Sequence, residues 1–95
     1  MRVRTYLVER FLSGDPAERL SDVAIRAQEA CRALAAEGFS VRYLGSTLLP
    51  GDETCFCLFE GPTEEAVARA NELGGLPFER ISEAVSLGPD PLGDG

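Results

Sequence analysis

The chain lacks histidine, lysine and tryptophan altogether, so that its nine basic residues are all arginines. Without an imidazole there is no Ser-His-Asp or Cys-His catalytic pair and no histidine-based zinc or haem site. Neither the GxGxxG nor the Walker phosphate-binding loop occurs in the sequence. These absences argue against an ordinary hydrolase or kinase, and the sequence assigns no catalytic residue.

Positive charge is also in short supply. The nine basic residues stand against sixteen acidic ones, which gives a formal net charge of −7. An electrostatic field of that sign repels nucleic acid and anionic lipid. We therefore expect neither nucleic acid nor a membrane as a partner.

Long apolar runs and a disulfide framework are missing too. No stretch approaches the roughly 18 apolar residues that cross a bilayer, and no apolar signal segment follows Met1 and Arg2. The three cysteines are an odd number. On a strand, Cys55 and Cys57 would stand roughly 6.5 Å apart with parallel side chains, which is poor geometry for a disulfide bond. The sequence predicts a cytoplasmic protein with reduced thiols.

The most informative stretch that is present is the apolar run Cys-Phe-Cys-Leu-Phe at 55–59, with turn residues on both sides. A short apolar run between turn signals predicts a buried strand. Because side chains alternate along a strand, its first, third and fifth members face one side and the other two face the opposite side. Both sides of this strand then need cover from water.

The remaining patterns place this strand in the order β-α-β-β-α-β. Strands are expected at residues 3–11, 39–49, 54–60 and 78–87, and helices at about 16–37 and from Thr63 to the pair Gly74-Gly75. Asp15 and Glu18 are placed to form a capping box, and Gly45 inside a strand indicates a bulge.

This order predicts an α+β ferredoxin-like fold, with a four-stranded antiparallel sheet, two helices on one face and the 54–60 strand in the sheet interior. One domain would span residues 1–87. The acidic tail 88–95 consists mostly of turn and acidic residues, and we expect it to be disordered.

Two helices on one face leave the other sheet face uncovered. That face would expose an apolar patch of several hundred Å². Covering around 500 Å² on each of two subunits contributes on the order of 25 kcal/mol before the costs of association. We therefore predict a homodimer in which two sheets stack into an assembly like a dimeric α+β barrel.

Glu9 and Glu83 are the main candidate site residues. The first and last strands would be antiparallel neighbours, so the two carboxylates could converge on the face opposite the helices, since the helix side could not hold them cheaply. There they could bind a cation, clamp a polar ligand, or pair with Arg4, Arg10 or Arg80. A glutamate in water or in a structural ion pair is the alternative interpretation.

Two further groups could carry chemistry or simply pack. Tyr6 and Tyr43 could stack on a ligand, or lie in the core or an interface. The pair Cys55 and Cys57 could form half of a thiolate metal site or a redox pair, while buried cysteines more often pack as small hydrophobic residues. The candidate ligand-binding set is Glu9, Glu83, Tyr6, Tyr43 and Arg10.

Three strings also carry a family resemblance. They are Tyr-Leu-Val-Glu-Arg at 6–10, Cys-Leu-Phe-Glu-Gly-Pro-Thr at 57–63 and Gly-Leu-Pro-Phe-Glu-Arg-Ile-Ser-Glu at 75–83. Together they resemble a bacterial family of small ferredoxin-like domains of unknown function, some of whose members are described as nickel-binding proteins. The resemblance covers about residues 4–87 and implies a ferredoxin-like fold, dimeric assembly and, for some members, nickel near the subunit interface.

Nickel favours imidazole nitrogen as a ligand, and this chain has none, so we predict no cofactor. The metal ligands that remain as candidates are the carboxylates of Glu9 and Glu83 and the thiols of Cys55 and Cys57.

Three functions follow from these patterns. The first is a non-enzymatic homodimeric binding module with a pocket between facing sheets. A small ligand is the favoured occupant of that pocket, ahead of a metal ion. An alternative is a cofactor-free isomerase- or oxygenase-like enzyme in a dimeric α+β barrel, with a buried Glu9 or Glu83 as general base. A further alternative is a regulatory domain whose exposed face docks another protein.

Overall fold

The sequence patterns correspond to four strands and two helices in the computed structural model, which describes residues 3–12 and 16–85. The elements are β1 (Arg4–Phe11), α1 (Pro16–Ala36), β2 (Arg42–Leu49), β3 (Thr54–Gly61), α2 (Glu64–Leu73) and β4 (Arg80–Ala84). The predicted order is confirmed. The predicted tail and the cap at Asp15 lie outside the described residues. None of the helices in the described ranges is long and apolar enough to cross a membrane.

The strands form one sheet in the spatial order β2-β3-β1-β4, and all three neighbouring pairs are antiparallel. Val8 in β1 stands opposite Cys57 on one side and opposite Ile81 on the other. The predicted interior position of β3 and the pairing of the first and last strands are therefore confirmed. This topology is consistent with the ferredoxin-like fold.

The end of α1 explains why β2 begins later than the pattern predicts. Gly38 has a positive φ of 93°. The backbone amide of Phe39 donates to the carbonyl of Leu34, and the amide of Gly38 donates to the carbonyl of Ala35. These two bonds are those of a Schellman motif. Because Phe39 completes the helix end, β2 begins only at Arg42.

The beginning of α2 and the bulge in β2 agree with the sequence. The Thr63 hydroxyl oxygen accepts a hydrogen bond from the amide of Ala66 at 3.1 Å, which is the expected N-cap. In β2, Tyr43 stands opposite Phe59 whereas Gly45 stands opposite Leu58, so the register shifts by one residue at the expected glycine.

The core lies between the sheet and the two helices. Cys55, Cys57 and Phe59 of β3 are fully buried there, as are Leu34 of α1 and Val67 of α2. This packing decides which side of β3 the helices cover. The side of β3 that carries the cysteines faces the helices, and the side chains of Phe56 and Leu58 face away from them.

Candidate functional site

The sheet face turned away from α1 and α2, here called the open face, is apolar at its centre. Leu7 of β1 stands opposite Leu58 of β3, and Glu9 stands opposite Phe56. All four side chains are partly exposed. Phe11, at the end of β1 on the same face, is 64% exposed. The open face therefore presents a contiguous group of large apolar side chains to solvent.

The carboxylates that β1 and β3 place on the open face are each paired with an arginine of an edge strand. Glu9 Oε1 lies 3.4 Å from Nη2 of Arg80. Glu60 Oε1 lies 3.2 Å from Nη1 of Arg42. The two ion pairs lie on either side of the apolar centre. Covering this face would consequently bury paired charges rather than lone ones.

The expectation that Glu9 and Glu83 converge on one face is wrong. In the β1–β4 register, Glu9 stands opposite Arg80, whereas Glu83 stands opposite Tyr6. Tyr6 faces the helices, so Glu83 lies on the helix side of the sheet. Glu83 can occupy this position because it lies on an edge strand, where about half of its side chain is exposed to solvent. Its Oε2 lies 4.0 Å from Nε of Arg4. Both glutamates do form the ion pairs with arginine that the alternative interpretation predicts.

The other candidate ligand-binding residues also lie away from the open face. Tyr6 is buried under the helices. The ring of Tyr43 packs against that of Phe59, with 5.5 Å between ring centroids and an interplanar angle of 59°. Its hydroxyl shares a hydrogen bond of 2.5 Å with the hydroxyl of Ser46. Of the five residues proposed from sequence, the open face holds only Glu9.

The thiols of Cys55 and Cys57 lie side by side in the core. Their sulfur atoms are 3.8 Å apart, and Ser46 Oγ lies 3.0 Å from the sulfur of Cys57. Burial, and then the neighbouring Cys57, raise the pKa of Cys55 to about 12. A neutral thiol is a poor metal ligand and a poor nucleophile. Both thiols are buried in the core, as the packing interpretation predicts. Within residues 3–12 and 16–85, no group of three or more histidine, cysteine or acidic side chains that could hold a metal ion is found.

Arg10 has a role that the sequence reasoning missed. It is only 2% exposed. Nη1 donates to the carbonyls of Leu76 and Pro77, both at 3.2 Å, and Nη2 donates to Oδ1 of Asn71 at 2.5 Å. The sequence did contain this information, because Arg10 lies two residues after the buried Val8 and therefore points to the same side of β1. Its side chain connects β1 to α2 and to the segment that leads into β4.

β4 starts at Arg80 rather than at residue 78, and the segment before it is held by the same Arg10 hydrogen bonds. Pro77 has no amide hydrogen with which to enter a strand ladder. The carbonyls of Leu76 and Pro77 accept from the Arg10 side chain instead of from a neighbouring strand. The predicted end of this strand at residue 87 lies outside the described residues.

Taken together, these observations define a small α+β domain whose topology is consistent with the ferredoxin-like fold, and whose sheet has one face, apolar at its centre, that neither helix covers. A family model described as "Nickel responsive protein SCO4226-like" matches residues 6–84, so the chain belongs to the SCO4226-like family. The resemblance found in the sequence is thereby confirmed.

One solved structure supports the fold. The chain is similar to the crystal structure of SCO4226 from Streptomyces coelicolor A3(2), with 23% sequence identity and a TM-score of 0.58. The match covers 87% of this chain and 99% of that one. At this identity the likeness establishes the fold and no more. No curated protein matches the chain.

Proposed function

We propose that this protein is a homodimeric binding module in which the open faces of two copies stack and enclose a pocket for a small ligand. The observation that carries the proposal is the apolar group Leu7, Phe11, Phe56 and Leu58, which neither helix covers. A patch of this kind, bordered by polar residues, is typical of an interaction surface. A second copy offers the same surface, so a two-fold axis would place apolar side chains against apolar side chains.

The ion pairs of the open face fit this arrangement. Burying a lone charge is strongly unfavourable, whereas a paired charge can be buried at much lower cost. Glu9–Arg80 and Glu60–Arg42 are already paired within one protomer. In the dimer, Glu9 and Arg80 would be polar groups beside an otherwise apolar pocket, the usual character of a small-ligand site.

A charge placed on the open face tests the proposal. Leu58→Arg puts a guanidinium at the centre of the apolar group, and in a dimer the two copies would repel each other in a desolvated contact. The matched control is Ile25→Arg on α1, since Ile25 is 56% exposed away from the sheet. We expect Leu58→Arg to be a folded monomer and Ile25→Arg to keep the wild-type dimer mass, measured by light scattering after size exclusion. A Leu58→Arg protein that stays dimeric would remove the open face as the interface.

Nickel is a second candidate ligand because the family model is described as nickel responsive. The candidate donors do not meet in one protomer. Glu9 lies on the open face, Glu83 on the helix side, and the cysteine thiols beneath the helices. They therefore do not fit a nickel site within one chain, and no step of the proposed function depends on the metal. In equilibrium dialysis against nickel(II) we expect no stoichiometric retention, and one nickel ion held per chain or per dimer would reverse this assignment.

The enzyme and protein-docking alternatives also depend on the open face. Glu83 lies on the other side of the sheet, so it cannot share a site with Glu9 there. In one protomer the Glu9 side chain is 31% exposed and paired with Arg80. A heterologous partner would compete with the second copy for the same apolar group. A wild-type dimer in pure solution therefore favours self-association over docking.

A further inference from the structure

A separate cavity lies on the helix side of the sheet, among the end of β1, the first half of α1 and the segment between α2 and β4. Its volume is about 120 Å³, and the charged residues that line it are Arg10, Arg19, Arg26 and Asp22. We propose that this cavity binds a single phosphate group, either as inorganic phosphate or as the phosphate of a small metabolite. The proposal does not depend on the open face or on dimerisation.

The residues that line the cavity carry a net positive charge. Asp22 is paired with Arg26, with 2.9 Å between Oδ2 and Nε. Within the described ranges, Arg19 has no carboxylate within ion-pair distance. Among the described residues that line the cavity, three guanidinium groups against one carboxylate leave two positive charges, in a chain whose net charge is −7. An anion is the ligand that this local field attracts.

The buried guanidinium of Arg10 also favours an anion in this cavity. This guanidinium is almost completely buried and carries a positive charge. Its acceptors, Leu76, Pro77 and Asn71, are all neutral. Its Nε is buried and has no hydrogen-bond partner among the residues described. A buried cation whose hydrogen-bond acceptors are all neutral is stabilised when an anion binds nearby.

Size and charge select phosphate among the anions. A cavity of about 120 Å³ has room for one tetrahedral oxyanion group but not for a whole nucleotide. A phosphate group on a small molecule carries about −1.5 to −2 charges at pH 7, which matches the two uncompensated arginines better than a monocarboxylate does. The guanidinium of Arg19, which lines the cavity, is a planar fork that matches phosphate oxygens in a bidentate geometry. Gly75, which lines the same cavity, adds no side chain that would fill it.

Isothermal titration of the full chain with inorganic phosphate, at low salt and pH 7.5, tests the site. Arg19→Gln removes one cavity charge at an exposed position and should leave folding intact. Arg69→Gln, on the exposed side of α2 and outside the cavity lining, is the matched control. We expect wild type and Arg69→Gln to bind equally, and Arg19→Gln to bind about tenfold more weakly. Equal weakening by both substitutions would mean nonspecific screening of charge and would overturn the proposal.

Two further titrants identify the source of the phosphate. Tighter binding of glycerol 3-phosphate than of inorganic phosphate would assign the site to a phosphorylated metabolite, and the reverse order would assign it to free phosphate. Succinate has a similar charge without a tetrahedral group. If succinate binds as tightly as phosphate, the site is a dicarboxylate site and the proposal is wrong.

Discussion

At the scale of single residues, Arg10 is the side chain whose environment most constrains the fold. It is buried with Tyr6 and Val8 on one side of β1 and bonds to three acceptors that belong to α2 and the following segment. Asn71 is itself fixed, since its Nδ2 donates to the carbonyl of Val67 at 2.8 Å. A planar fork with several donors satisfies this arrangement, and a single ammonium group does not.

We therefore expect Arg10→Lys to lower the free energy of unfolding by about 3 kcal/mol, because a buried network loses donors while the positive charge stays buried. The control is Arg69→Lys, at an exposed position, which should change stability by no more than about 0.5 kcal/mol. Urea unfolding followed by circular dichroism measures both. Equal stability of the two variants would show that the Arg10 hydrogen bonds contribute little.

Cys55 makes stability depend on pH in the alkaline range. Its pKa in the folded chain is raised from 9.0 to about 12, chiefly by burial and then by the nearby Cys57. The folded state keeps this thiol neutral while the unfolded state ionises it. Its contribution is therefore complete below pH 9 and is lost as the pH rises from 9 towards 12, at up to about 1.4 kcal/mol per pH unit.

The comparison with Cys55→Ala isolates that contribution. Between pH 8 and pH 10.5, under reducing conditions, wild-type stability measured by urea unfolding should fall more steeply than that of Cys55→Ala. Cys31 and Tyr43, whose pKa values burial also raises, titrate in both proteins, and only the smaller effect of Cys55 on the pKa of Tyr43 differs between them. Parallel curves for the two proteins would contradict the raised pKa of Cys55.

How well the sequence predicts the side of the sheet that a residue faces depends on whether one strand or the register between two strands determines it. Alternation along one strand was enough to group Cys55 with Cys57, and it also contained the inward position of Arg10. The relation of Glu9 to Glu83 needs the register between two strands. A shift of one residue in that register reverses the face of every side chain, and no pattern within β1 or β4 alone specifies it.

At the scale of elements, Gly61 shows how closely the end of β3 approaches the helices. A Cβ atom at this position would lie 3.3 Å from Cγ2 of Val67 in α2 and 3.5 Å from Cγ2 of Val41. Both valines are buried and branched, so neither has an open direction in which to move. Because Gly61 has no side chain, Val67 and Val41 can pack closely against the end of β3.

Gly61→Ala should lower the unfolding free energy by about 1–2 kcal/mol, since it forces extra volume into a packed contact. Gly51→Ala is the matched control, because a Cβ atom there would meet nothing within 4 Å and the position has no positive φ. It should be neutral or slightly stabilising. Thermal unfolding of the two variants distinguishes these outcomes, and a Gly61→Ala protein as stable as Gly51→Ala would show that the valines give way.

The elements were predictable where local chemistry determines them. As their residue types indicate, Thr63 is the N-cap of α2, Gly38 terminates α1, and Gly45 lies at the β-bulge of β2. At the two strand starts that differ from the prediction, nearby backbone groups make hydrogen bonds outside the sheet. Phe39 donates to the end of α1, and Leu76 and Pro77 accept from a side chain that is distant in sequence. Such partners appear only once the chain has folded.

At the scale of the whole molecule, the sheet is the feature that links fold and function. Its helix side holds the core and the phosphate cavity, and its open face holds the apolar group formed by Leu7, Phe11, Phe56 and Leu58. The chain length made an uncovered face predictable, because two helices of this size cover one side of a four-stranded sheet. Which side of β3 would be uncovered, and which charges would border it, required the structure.

Sedimentation equilibrium of the wild-type chain over a dilution series in the micromolar range measures most directly whether a second copy covers the open face. The chain has a mass of 10.2 kDa. The proposed assembly predicts a species of twice that mass, with no smaller component until the protein is very dilute. A single species of 10.2 kDa throughout the series would show that the open face is stable in water, and would contradict the dimer together with the ligand pocket proposed between its sheets.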